Sequence, residues 1–159
     1  MFLWFIGAAL VLTWVVFHDP AIDHRVLIAG AVLPDLVDAP FGGARVAHTV
    51  TASAALLLAV MLATRGHRHA RRRWLALPIG TFTHLLADGV WSDKTTFWWP
   101  FLGGRLHRPL PSFEHGLAVV ILEELAGAAA IVWFARRFEL AGAGPARAAF
   151  LSTGRLPRQ

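Results

Sequence analysis

From Met1 to Phe17 the chain holds no charged residue. Long apolar runs recur at 44–64, 74–91 and 115–134, none with more than two Asp, Glu, Lys or Arg. A membrane span needs roughly 20 predominantly apolar residues, so each run reads as a transmembrane helix. The first lacks the basic start and small-residue cleavage site of a signal peptide and reads as a retained span. A shorter run, Val26–Leu33, is opened by Asp23 as a helix N-cap and closed by Pro34–Asp38. It is expected as a short or re-entrant helix packed against the others. The chain is 56% hydrophobic and 16% charged, with mean hydropathy +0.54, more apolar than an ordinary soluble domain. The expected fold is all-α: a polytopic membrane helix bundle of four to five transmembrane or re-entrant helices, over residues 1–137. Residues 138–159, rich in Gly, Ala and Arg, are expected to form a basic mobile tail.

The basic residues suggest sidedness. Of fifteen Lys and Arg, five lie in 65–73 and five more in 136–158. By the positive-inside rule both segments face the cytoplasm of a multi-pass inner or plasma membrane protein. That rule also accounts for the net charge of +5 without a nucleic-acid partner, since the Arg run has no interleaved aromatics. Membrane lipid is the expected partner.

No Gly-rich phosphate loop, nucleophile elbow or strand-period alternation is visible. The chain has no cysteine, so disulfides and thiolate metal sites are excluded. A metal site would have to use His, Asp and Glu. Those ligands suit zinc first, with manganese or iron as alternatives.

One stretch concentrates such residues. In Gly80–Pro100 an apolar helix holds His84 and Asp88, then runs into an aromatic loop, Phe97-Trp98-Trp99-Pro100. Four residues apart on a helix, the imidazole and carboxylate share a face, about one turn apart. They can share an ion or staple two helices. Asp35 and Asp38 end the second segment, and His48 begins the third just after the turn at 40–43. By depth, Asp35, Asp38, His48, His84 and Asp88 therefore converge on one leaflet from three segments. Ionisable groups in a bilayer are costly and face the bundle interior, so this convergence suggests a shared ion held by Asp35, His48, His84 and Asp88. Asp38 and Glu114 are candidates for general base or for orienting a ligand.

The stretches Leu33-Pro34-Asp35-Leu36-Val37-Asp38, Ala47-His48-Thr49, Gly80 to Asp88 and Phe97 to Pro100 together resemble the LexA-binding, inner-membrane-associated metal-dependent hydrolase family. The resemblance covers roughly residues 27–109. The chain differs in having Gly43-Ala44-Arg45 where members often carry His-Arg-Gly, and in placing its second aspartate at Asp38, one position late. The resemblance implies a metal-dependent hydrolase. A site near the outer interface, under an aromatic loop, suggests a lipid or lipid-linked ester or phosphoester as substrate, with Lys94, Arg105 and Arg108 supplying positive charge for a phosphate. Two other readings stand beside it. One is a non-enzymatic membrane protein with a structural metal or polar staple. The other is an ion or proton pathway through Glu123, Glu124, Asp88 and His84.

Overall fold

A computed structural model describes residues 1–103, 106 and 116–157. Its helices are α1 (Phe2–Phe17), α2 (His24–Asp38), α3 (Val50–Ala63), α4 (Arg68–Trp74), α5 (Ala76–Ala87), α6 (Lys94–Phe97), α7 (Leu117–Arg137) and α8 (Pro145–Thr153). Short 3-10 turns lie at Ala39–Phe41, Val46–His48 and Val90–Ser92. The described residues are all-helical, with no strand among them.

The polytopic bundle of four to five spans is not what forms. Among the described residues one helix, α7, is long and apolar enough to cross a membrane, with 21 residues and mean hydropathy 2.0. The first run forms α1 almost in full but is only 16 residues long, and the 44–64 and 74–91 runs are cut short by local breaks. The 44–64 run starts with non-helical backbone at Arg45 and a 3-10 turn, so α3 begins only at Val50. The 74–91 run is split at Leu75 and ended by Gly89 at φ 69°, leaving α5 with 12 residues. At 1.5 Å per residue α5 is roughly 18 Å long, against a hydrocarbon core of about 30 Å. Apolar run length therefore overstated helix length.

Two close backbone crossings hold the structure. Where α2 crosses α5, Gly30 and Gly80 face each other. A Cβ on Gly30 would lie 2.2 Å from the Leu77 carbonyl oxygen, and one on Gly80 2.3 Å from that of Leu27. Where α1 crosses α7, a Cβ on Gly127 would lie 2.3 Å from Leu3 backbone atoms, and Gly7 lies against Gly127 in turn. Small residues allow such approach. Between the two crossings a buried cluster includes Leu10 of α1, Val26, Leu27 and Ala31 of α2, and Phe134 of α7. Much apolar surface stays uncovered. Leu117, Leu122 and Leu125 of α7 are 61–76% exposed, and Phe101 and Leu102 are exposed too.

The C-terminal part, expected as a tail from residue 138, contains α8 and is tied to the start of α2. The Gly154 carbonyl accepts from the His24 backbone N–H at 2.9 Å and from His24 Nδ1–H at 3.0 Å. The Leu156 N–H donates to the Pro20 carbonyl, and the Leu156 side chain is buried. Burial lowers the His24 pKa from its ordinary value; its bonds to Gly154 and Ile22 and the charges of Asp23 and Asp19 oppose this without reversing it. A base whose folded pKa is depressed contributes stability above its unfolded value of ~6.5 and loses it as pH falls below that. Hydrogen exchange of residues 145–157 should therefore accelerate between pH 7 and 5, relative to the α2–α5 core. Unchanged protection across that range would rule out a role for His24 in docking α8.

Candidate metal centre

The crossing of α2 over α5 places the site. Asp35 follows Gly30 by five residues on α2, and His84 follows Gly80 by four on α5. Pro34 has no N–H to give the Gly30 carbonyl. In the same turn the Ala31 carbonyl accepts His84 Nδ1–H at 2.7 Å. His48 arrives from the 3-10 turn before α3, which Thr49 stabilises. The Thr49 hydroxyl donates to the Val46 carbonyl and accepts the Ala52 N–H. At the end of α2, one oxygen of Asp38 accepts both His48 Nδ1–H, at 2.8 Å, and the Arg45 backbone N–H, at 2.7 Å.

These bonds leave both Nε2 atoms pointing at one place. His48 Nε2 and His84 Nε2 are 3.3 Å apart, and Asp35 Oδ1 lies 3.3 Å from the first and 3.6 Å from the second. One ligand atom from each of Asp35, His48 and His84 falls within 4.8 Å of the others. Both histidines are fully buried; Asp35 is 16% exposed. The group could hold a metal ion. Each histidine has its other nitrogen held by an acceptor, as metal-binding histidines do.

The electrostatics separate the two imidazoles. Burial alone would lower the His48 pKa, but its bonds to Asp35 and Asp38, with the Asp88 charge, raise it to about 9. Burial, helped by the His48 charge, pushes His84 down to about 4 against the pull of Asp35. Burial works to raise the Asp35 pKa, yet the His48 bond and the neighbouring imidazoles hold it below its ordinary value. Without an ion the site thus keeps a proton on His48, which must leave before Nε2 can bind a metal.

Asp88, the fourth expected ligand, is buried at the C-terminal end of α5 and stands outside the 4.8 Å group. Its charge still reaches His48. The structure thus brings together Asp35, Asp38, His48 and His84. Glu114, Arg105 and Arg108 lie outside the described residues. Glu124 is engaged elsewhere, accepting the Leu3 N–H at the start of α1. The aromatic loop is anchored to α3 by the Thr51 hydroxyl on the Trp99 carbonyl. Phe97 is buried against Leu85 and Val90, and Trp98 is exposed.

Two residues of α1 were not anticipated. The Phe5 ring lies 3.9 Å from the His84 ring, centroid to centroid, and covers it. Trp4 Nε1–H donates to the Ala87 carbonyl at 3.0 Å, holding α1 to the end of α5. In a uniformly apolar helix no spacing signal marks these positions. No protein-family model, curated protein or solved structure matches the chain.

Proposed function

We propose that the chain is a metal-dependent hydrolase acting on a lipid or lipid-linked ester or phosphoester. A divalent ion, zinc first, would be held by Asp35, His48 and His84. The observation that carries this reading is the convergence of two histidine Nε2 atoms and one carboxylate oxygen, each imidazole fixed from behind. An ion with three protein ligands keeps a position for water and lowers its pKa toward ~7. Asp38 orients His48 and settles its tautomer. Phe5 excludes water from one side of His84. The partial exposure of Asp35 marks the side open to substrate.

The lipid part of the reading draws on two features. An apolar cleft of about 430 Å³ between α1, α3 and α5 is lined by Leu12, Val16, Leu57 and Phe82, with the hydroxyls of Thr13, Ser53 and Thr83 in its wall. The large uncovered apolar surface fits contact with lipid. Resemblance to the inner-membrane hydrolase family points to the same chemistry.

Metal-loaded protein should hydrolyse at least one member of a panel of phospho- and carboxyl-ester lipids in mixed micelles, and Asp35→Asn should abolish that turnover. Bound metal with no turnover on any member would reject the hydrolase reading and leave a structural ion. The direct contacts of His48 Nε2 with Asp35 and His84 also favour a second reading, a metal-free polar staple.

A further inference from the structure

Arg25, His69, Arg72, Arg73 and Arg155 line a pocket of about 430 Å³ with Asp23 and the end of α8. It lies at the N-terminal end of α2, the opposite end from Asp35. We propose that it binds a phosphate-bearing anion, a function separate from the metal centre and independent of the hydrolase reading.

The charge balance comes first. Four guanidiniums meet two carboxylates, Asp23 in the wall and Asp19 beside it, leaving an excess of +2 before His69 is counted. Among the described residues one helix is long and apolar enough to span, so the Arg run needs an account that does not rest on a multi-pass topology. The run instead folds as α4 and turns Arg72 and Arg73 toward the start of α2.

The donor count comes second. A guanidinium carries five N–H groups and accepts nothing. Arg25 is committed: Nε and Nη2 donate to Asp23, and Nη1 to the Leu151 carbonyl at the end of α8. Among the described residues Arg73 meets carboxylate only through Nε, on Asp23, and Arg72 only through Nη2, on Asp19. Their other N–H groups, with those of Arg155, remain for a ligand in the pocket. Asp23 and Asp19 thus hold the arginines in place without saturating them. A planar fork of N–H donors matches phosphate oxygens, and several at once make a recognition site for that group. The Ser152 and Thr153 hydroxyls already donate to carbonyls within α8, so the guanidiniums and His69 carry recognition. The phosphate can come from a soluble phosphate ester or from an anionic lipid headgroup. The exposed Trp74 beside Arg73 suits the interfacial position the headgroup would need.

The test uses the full chain and inorganic phosphate, followed by calorimetry at constant ionic strength. Saturable binding is expected. Arg155→Gln, which breaks no ion pair among the described residues, should weaken it about tenfold, with an unchanged melting temperature reporting an intact fold. Arg68→Gln, on α4 but outside the pocket, should change it less than about twofold. Phosphatidylglycerol vesicles that compete with phosphate, sensitively to Arg155→Gln, identify a headgroup as the source. Phosphate binding without vesicle competition identifies a soluble ester. The proposal is overturned if neither phosphate nor vesicles bind saturably, or if Arg68→Gln and Arg155→Gln weaken binding equally.

Discussion

Purified protein is expected to carry about one equivalent of a divalent ion, and His84→Ala or His48→Ala almost none. With three protein ligands converging from α2, the turn before α3, and α5, losing one leaves a two-ligand set that cannot compete with water. Asp38→Asn should behave differently. It keeps every direct ligand but weakens the acceptor that fixes His48 Nδ1–H and the Arg45 N–H. Loss of such a partner typically costs 10–100-fold in metal affinity, so Asp38→Asn should bind metal weakly and Asp38→Ala more weakly still. Elemental analysis gives stoichiometry, and titration against a chelator of known affinity gives the fold-change. Thermal melts separate the metal reading from a polar staple. A ligand that binds only the folded state raises its stability in proportion to the logarithm of concentration over Kd. Added ion should therefore raise the melting temperature of the native chain and not that of His84→Ala. Equal metal content in the native chain and His84→Ala would sink the metal centre. A native chain indifferent to metal, beside a strongly destabilised His84→Ala, would establish the staple.

The parts of this site legible in the sequence depend on local spacing and segment order. His84 sits in an apolar helix where an unpartnered imidazole is costly. Asp35, Asp38 and His48 bracket a Pro/Gly turn, so any fold that packs α2 beside α5 brings them near it. Asp88 shows the limit of spacing. A residue four positions on shares a face and can share an ion, but α5 stops at Ala87, so Asp88 is its C-cap and stands outside the ligand group. Span lengths were illegible because hydropathy does not register where a helix stops. Arg45, Leu75 and Gly89 break runs whose mean hydropathy stays high across the break. The docking of α8 was hidden for another reason. His24 and Gly154 are 130 residues apart, and a Gly/Ala/Arg-rich composition marks no partner at such a distance.

Gly80→Ala should destabilise the protein by about 3 kcal/mol or more and weaken metal binding at least tenfold, roughly the upper end of overpacking costs. The sign is informative, because two effects oppose each other. Within an isolated helix the change favours folding by roughly 0.5–1 kcal/mol, since alanine has less backbone freedom to lose. At the crossing, the new Cβ would stand 2.3 Å from the Leu27 carbonyl oxygen and 2.8 Å from the Ala31 nitrogen. Both are backbone atoms, so no rotamer change relieves the contact and α2 must move away from α5. That movement stretches the bond from His84 Nδ1–H to Ala31 and separates Asp35 from His84, so one methyl group acts on both fold and site. Gly127→Ala supplies the comparison. It strains the α1–α7 crossing against Leu3 and should lower the melting temperature while leaving metal affinity nearer to native. Gly142→Ala, with nothing within 4 Å of its Cβ, should change stability by less than about 0.5 kcal/mol. A Gly80→Ala protein with native melting temperature and native metal affinity would mean that α2 and α5 do not cross this closely. The construction of the metal centre on that crossing would then fail.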